Sequence, residues 1–174
     1  AALVGTQGAM AGAIIVNAQT GAILYADDAD RGHYPASLTK MMTLYMTFDA
    51  LATRRLTLSQ SLAVSANAAR QVPSKLGLRT GETISVENAI LALVTKSAND
   101  AAVVLAEALG GSESNFAVGM TMKARDLGLH RTTFRNASGL HDRYQHTTPR
   151  DMANLAIALI RDFPQFYGYF STTS

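Results

Sequence analysis

Cysteine is absent from this chain. Disulfides, thiolate zinc sites and cysteine nucleophiles are thereby excluded, a composition that suits an exported protein. No apolar run reaches the roughly 20 residues that cross a bilayer, and none of the residues 1–174 is read as a signal peptide. The chain begins at Ala1 rather than methionine, as a processed or trimmed protein does. Metal ligands are scarce. His33 and His130 stand alone, and His141 and His146 share a loop with Asp142 but lack the helical spacing of His-Glu-x-x-His. Neither a metal site nor a cofactor is expected. Neither sign of charge dominates, since 15 basic and 13 acidic side chains leave a net +2. The pI near 9.1 comes with no basic cluster and no aromatic-interleaved stripe, so nucleic acid is not an expected partner. What is present, 48% hydrophobic residues in a chain of 174, suffices for one packed domain spanning residues 1–174.

Two strands are read at the start, over residues 11–17 and 22–26, with Ala18-Gln19-Thr20-Gly21 as a hairpin turn. A helix follows around Ser37 and runs to Arg54-Arg55, whose charge favours its C-terminal carbonyls. Residues 57–84 are mixed, with turn signals at Pro73, Gly77 and Gly81. Ser85 caps a helix with the stripe Val86, Ala89, Ile90, Leu93 and Val94. Thr95-Lys96-Ser97-Ala98-Asn99 interrupts it, and Asp100 is read as the cap of a buried helix over Ala101 to Leu109. Ser112 caps the next, with Phe116, Met120, Ala124 and Leu127. Thr148-Pro149-Arg150-Asp151 combines a threonine cap, a proline in the first turn and an acid three residues on, opening a final helix. Strands followed by a run of helices make an α/β (α+β) inventory. A two-stranded sheet is marginal alone and leaves open edges, so these strands read as part of a larger sheet.

The chemistry concentrates at Ser37-Leu38-Thr39-Lys40. Residues three apart share a helix face, so a hydroxyl nucleophile and an amine base lie within hydrogen-bond reach. A serine at a helix N-terminus also has backbone N–H groups that stabilise developing negative charge. The alternative is a capping serine and a solvated lysine. Against it, residues 38–52 place apolar side chains in nearly every direction, which marks a buried helix. In such surroundings the neutral amine is favoured and Lys40 can act as a base. Ser97-Ala98-Asn99 falls in the break between two buried helices, where the hydroxyl can relay a proton and the amide can hold a peptide group and orient Lys40. Ser65-Ala66-Asn67 repeats the tripeptide in a mixed stretch without that setting, so Ser97 is preferred.

With these motifs the chain resembles the serine D-alanyl-D-alanine carboxypeptidases among the low-molecular-mass penicillin-binding proteins, relatives of the serine β-lactamases, which use Ser-x-x-Lys, Ser-x-Asn and Lys-Thr-Gly. Tyr34-Pro35-Ala36-Ser37-Leu38-Thr39-Lys40-Met41-Met42-Thr43 is similar to the first motif of the carboxypeptidases, and Ser97-Ala98-Asn99-Asp100-Ala101-Ala102 to the second. Asn17-Ala18-Gln19-Thr20-Gly21, Met122-Lys123-Ala124-Arg125-Asp126-Leu127-Gly128, Thr133-Phe134 and Ser138-Gly139-Leu140 also follow the family's order. Lys-Thr-Gly occurs nowhere. Arg79-Thr80-Gly81 precedes Ser97, whereas the third motif follows it, and reads as a turn.

The resemblance implies a β-lactamase/DD-peptidase-like fold, a helical cluster on an antiparallel sheet of which this chain supplies only the first two strands. The chain is then the N-terminal portion of a single DD-peptidase domain. It further implies catalytic roles for Ser37, Lys40 and Ser97, substrate binding by Asn99, peptidoglycan stem peptides as substrate and acylation by β-lactams. It places the protein outside the cytoplasm, in the periplasm or on the outer face of the bacterial cytoplasmic membrane. The alternatives are a DD-endopeptidase, a β-lactamase, or an incomplete fragment or binding module. A β-lactamase of class A needs a glutamate for deacylation, and beyond Ser97 only Glu107 and Glu113 occur. A companion C-terminal polypeptide or self-association through sheet edges is the expected consequence of the missing motif.

Overall fold

The computed structural model describes residues 2–5, 13–16, 23–27 and 39–171. Strands β1 (Ala2–Gly5), β2 (Ala13–Val16) and β3 (Ile23–Asp27) form an antiparallel sheet in that order. Ala2 pairs with Val16 on one side of β2, and Ala13 with Asp27 on the other. The sheet therefore has one strand more than the two read from alternation. Four residues ending in glycine carry too short a pattern to announce β1, and its pairing with β2 makes it a strand. A second, two-stranded sheet lies in the mixed stretch, where β4 (Ser61–Ala63) pairs with β5 (Thr83–Ser85).

Six helices account for most of the rest: α1 (Thr39–Ala52), α2 (Ala66–Ala69), α3 (Val86–Lys96), α4 (Asn99–Gly110), α5 (Glu113–Asp126) and α6 (Pro149–Asp162). A 3₁₀ helix over Pro164–Ser171 follows. Serine or threonine side chains start four of the six α-helices, with Ser65 accepting from Ala68 N, Ser85 from Asn88 N, Ser112 from Asn115 N and Thr148 from Asp151 N. α4 is the axis of the cluster. Its residues from Asn99 to Ala106 are all buried, and it packs against α1, α2, α3, α5 and β4. Its exit is tight: a Cβ added to Gly110 would lie 2.7 Å from the backbone nitrogen of Phe116, so only glycine lets α4 turn so closely into α5.

α1 is buried along Thr39, Lys40, Met42, Thr43, Leu44, Tyr45, Thr47, Phe48 and Ala50. Its far end is held by aromatics, with Phe48 stacked on Phe166 at 4.8 Å and edge-on to Phe163 at 6.0 Å. Tyr45 donates to Asp162 Oδ2 at 2.7 Å, and burial, with Asp162 second, pushes the phenol's pKa up. α6 packs in turn against β1 and β2, so α1 and the three-stranded sheet share one neighbour. These contacts leave the first turn of α1 facing the α3–α4 break and the loop after α5.

Candidate active site

Lys40 sits in the first turn of α1 and is 6% exposed. Its Nζ donates to Asn99 Oδ1 at 2.8 Å and to the carbonyl oxygen of Ser138 at 2.8 Å. Burial lowers its pKa from 10.5 to about 8, because the ammonium loses hydration that two neutral acceptors replace only in part. The consequence is geometric as well as electrostatic. A neutral amine carries two hydrogens and one lone pair, and with both hydrogens committed the lone pair is left a single direction.

Asn99 is the first residue of α4 and is held from three sides. Its backbone N–H donates to Ser74 O at 2.8 Å, its Nδ2 to Val72 O at 2.8 Å, and its Oδ1 accepts from Lys40. The break that delivers it is made by Ser97, which caps α3 in the left-handed region (φ 52°, ψ 44°), a conformation costing a non-glycine residue about 1 kcal/mol. Ser97 is half-buried there. The competing tripeptide has another occupation. Ser65 caps α2 through Ala68 N at 3.1 Å and donates to Glu107 Oε1, while Asn67 Nδ2 donates to Glu113 Oε1 at 3.3 Å. Asn99, and not Asn67, meets Lys40. Ser37 lies outside the described residues.

Two features of the site have no counterpart in the sequence reading. The first is the Ser138 carbonyl, supplied by the loop over residues 135–140. That loop is also tied to α1 by Thr43 Oγ1, which donates to Ala137 O at 2.7 Å, and to α5 by Ala137 N, which donates to Glu113 Oε2 at 3.2 Å. The second is Asp100. Expected as the cap of α4, it lies inside the first turn, the N-cap being Ala98. Its carboxylate receives Leu76 N at 3.0 Å, Gly77 N at 2.9 Å and Leu78 N at 3.0 Å, besides its neighbour Ala101 N at 2.9 Å. The segment whose Val72 and Ser74 carbonyls hold Asn99 is thus pinned again by the next residue. His146 Nδ1 is engaged with Arg131 O at 3.0 Å, and among the described residues no group of three or more His, Cys, Asp or Glu side chains is placed to hold a metal ion.

The family described as D-alanyl-D-alanine carboxypeptidase matches this chain over residues 5–174. The D-alanyl-D-alanine carboxypeptidase DacF of Bacillus subtilis is 34% identical over 149 residues, which cover 86% of this chain and 38% of that protein. The crystal structure of the D-alanyl-D-alanine carboxypeptidase DacD from Francisella tularensis superposes with a TM-score of 0.89 at 32% identity, covering 95% of this chain and 40% of that one. Penicillin-binding protein D2 from Listeria monocytogenes in its ampicillin-bound form gives 0.79 at 31% identity, covering 89% and 63%. The chain spans about two-fifths of the length of the curated relatives it matches.

Proposed function

This chain belongs to the D-alanyl-D-alanine carboxypeptidase family, and on that premise we propose that it carries the nucleophile and base of a serine DD-peptidase acting on the D-Ala-D-Ala end of peptidoglycan stem peptides. The observation that supports the reading most is Lys40, buried, with a lowered pKa and both amine hydrogens taken by Asn99 Oδ1 and Ser138 O. An amine so held loses its proton close to neutral pH, unlike a surface lysine, and its base form can accept one. In this reading Ser37 Oγ attacks the carbonyl carbon of the terminal peptide bond as Lys40 Nζ takes its proton. The Ser37 backbone N–H stabilises the oxyanion. Collapse breaks the C–N bond, the terminal D-alanine leaves with a proton delivered through Ser97, and water then hydrolyses the ester to free Ser37. Asn99 keeps one amide hydrogen beyond the one spent on Val72 O, and that hydrogen serves the substrate.

β-Lactams enter as mimics of the substrate, and the ampicillin-bound relative supports that expectation. Peptidoglycan as substrate places the protein in the periplasm or on the outer face of the cytoplasmic membrane. Among the described residues no helix is long and apolar enough to cross a membrane.

The test is intact-protein mass after incubation of the full-length protein with benzylpenicillin. The expected result is a gain of one penicillin, mapped to the peptide containing Ser37. Folded protein without an adduct, or an adduct on another residue, overturns the reading. The unmodified mass also registers any further polypeptide carrying a Lys-Thr-Gly strand.

The rate of that acylation should follow the neutral amine. With the Lys40 pKa at about 8, about 10% of the amine is neutral at pH 7 and about 90% at pH 9. The pKa is depressed, so the base form gains as pH rises through 8, and the second-order rate constant for benzylpenicillin climbs about tenfold across that interval. A flat or falling profile would remove Lys40 from the role of base.

A further inference from the structure

Gln145 is 1% exposed inside a polar loop. A primary amide buried there is costly unless its donors and acceptors are all paired, and here they are. Its Oε1 accepts from Arg135 N at 2.8 Å and Asn136 N at 3.1 Å, and its Nε2 donates to Leu140 O at 3.1 Å and Asn136 Oδ1 at 3.3 Å. Both ends of the loop over residues 135–140 therefore close on one side chain. Asn136 tightens the ring from within, since its Oδ1 accepts from Gly139 N at 2.8 Å and its Nδ2 donates to Leu140 O at 2.8 Å. The carbonyl between these fastenings, that of Ser138, is the one that receives Lys40 Nζ at 2.8 Å.

We propose that Gln145 is a positioning residue for acylation. It holds the 135–140 loop so that the Ser138 carbonyl takes one of the two Lys40 hydrogens, and thereby aims the lone pair. The proposal rests on the DD-peptidase reading. With one hydrogen held by Asn99, the other hydrogen and the lone pair of the neutral amine can still exchange between the two remaining directions, and a second acceptor settles which is which. A Ser138 carbonyl displaced by about 1 Å frees the other, and misplacement on that scale costs about 10²-fold in rate. The bonds from Thr43 and Glu113 fix Ala137, one residue earlier, and leave the Ser138 peptide free to turn. Gln145 and Asn136 remove that freedom.

Gln145→Met keeps length and volume and removes all four bonds. In the full-length protein, with folding verified by circular dichroism, pre-steady-state acylation by benzylpenicillin separates the non-covalent constant Ks from the acylation rate k2. The expected result is a k2 about 10²-fold below wild type with Ks unchanged. A merely structural glutamine would lower Tm and leave both constants of the folded protein intact. Should Gln145→Met not fold, Gln145→Glu decides on the same two constants. It keeps the acceptor for Arg135 N and Asn136 N, loses the donor toward both Leu140 O and Asn136 Oδ1, and is expected to lower k2 about tenfold. Folded variant with unchanged k2, beside a wild type that is acylated, overturns the positioning role alone. A wild type that takes no penicillin overturns the DD-peptidase reading, and this inference with it.

Discussion

Lys40→Arg is expected to slow acylation by benzylpenicillin about 10³-fold, within the range that loss of a general base costs. Arginine keeps a cation and N–H donors for Asn99 Oδ1 and Ser138 O, but its guanidinium stays protonated at every working pH and offers no lone pair. Lys40→Met removes charge, donors and base together, in a side chain of similar length. If the lysine served as a fixed positive charge for the oxyanion, the arginine variant would stay near wild type while methionine fell. If it is the base, both fall together, by about 4 kcal/mol of activation free energy. The comparison is made on second-order acylation constants at pH 9, where the wild-type amine is mostly neutral. An arginine variant within about tenfold of wild type would sink the base assignment.

The parts of this site that the sequence discloses are those written in side chains at fixed spacing. Ser-x-x-Lys on an apolar helix announces a buried lysine, and Lys40 is 6% exposed. Ser-x-Asn between two apolar helices announces an amide delivered to it, and the bond is made. Ser85, Ser112 and Thr148 were legible as caps because a cap bonds three residues on, within its own segment. The Ser138 carbonyl was not legible, since every residue has one and only the loop's shape selects it. Gln145 stands in a polar stretch, without periodicity, and its partners lie five to ten residues back along the chain. The strands failed for a related reason. β4 and β5 have three residues each, too few for alternation to show, and β1 is defined by its partner rather than by its own pattern. Asp100 was misread for the same cause in sharper form. As an acid before an apolar run it has the signature of a cap, but three of its four N–H donors come from residues 76–78, which no local rule connects to it.

That misreading leads to the largest stability effect expected outside the hydrophobic core. Asp100 is wholly buried. Its Oδ1 serves Leu76 N and Ala101 N, and its Oδ2 serves Gly77 N and Leu78 N. Bonds from backbone N–H groups to a carboxylate are stronger than neutral ones, and the N-terminus of α4 adds its own attraction for negative charge. Asp100→Ala removes the carboxylate from Ala101 N and from the N–H groups of the partly exposed segment 76–78, for an expected loss of about 2–3 kcal/mol and a Tm drop on the order of 10 °C. Asp100→Asn retains one carbonyl oxygen but turns an amide NH₂ toward two N–H donors, so it recovers only part of the loss. The damage reaches the site through a definite route. Segment 72–78 also supplies the Val72 and Ser74 carbonyls that hold Asn99, so a released segment loosens the amide that engages Lys40. Acylation by benzylpenicillin should therefore fall in Asp100→Ala even at temperatures where circular dichroism shows it folded. Thermal unfolding checks the first claim and k2 the second. A variant that melts within about 2 °C of wild type would mean the carboxylate's bonds to residues 76–78 contribute less than one ordinary hydrogen bond, and the clamp would have to be abandoned.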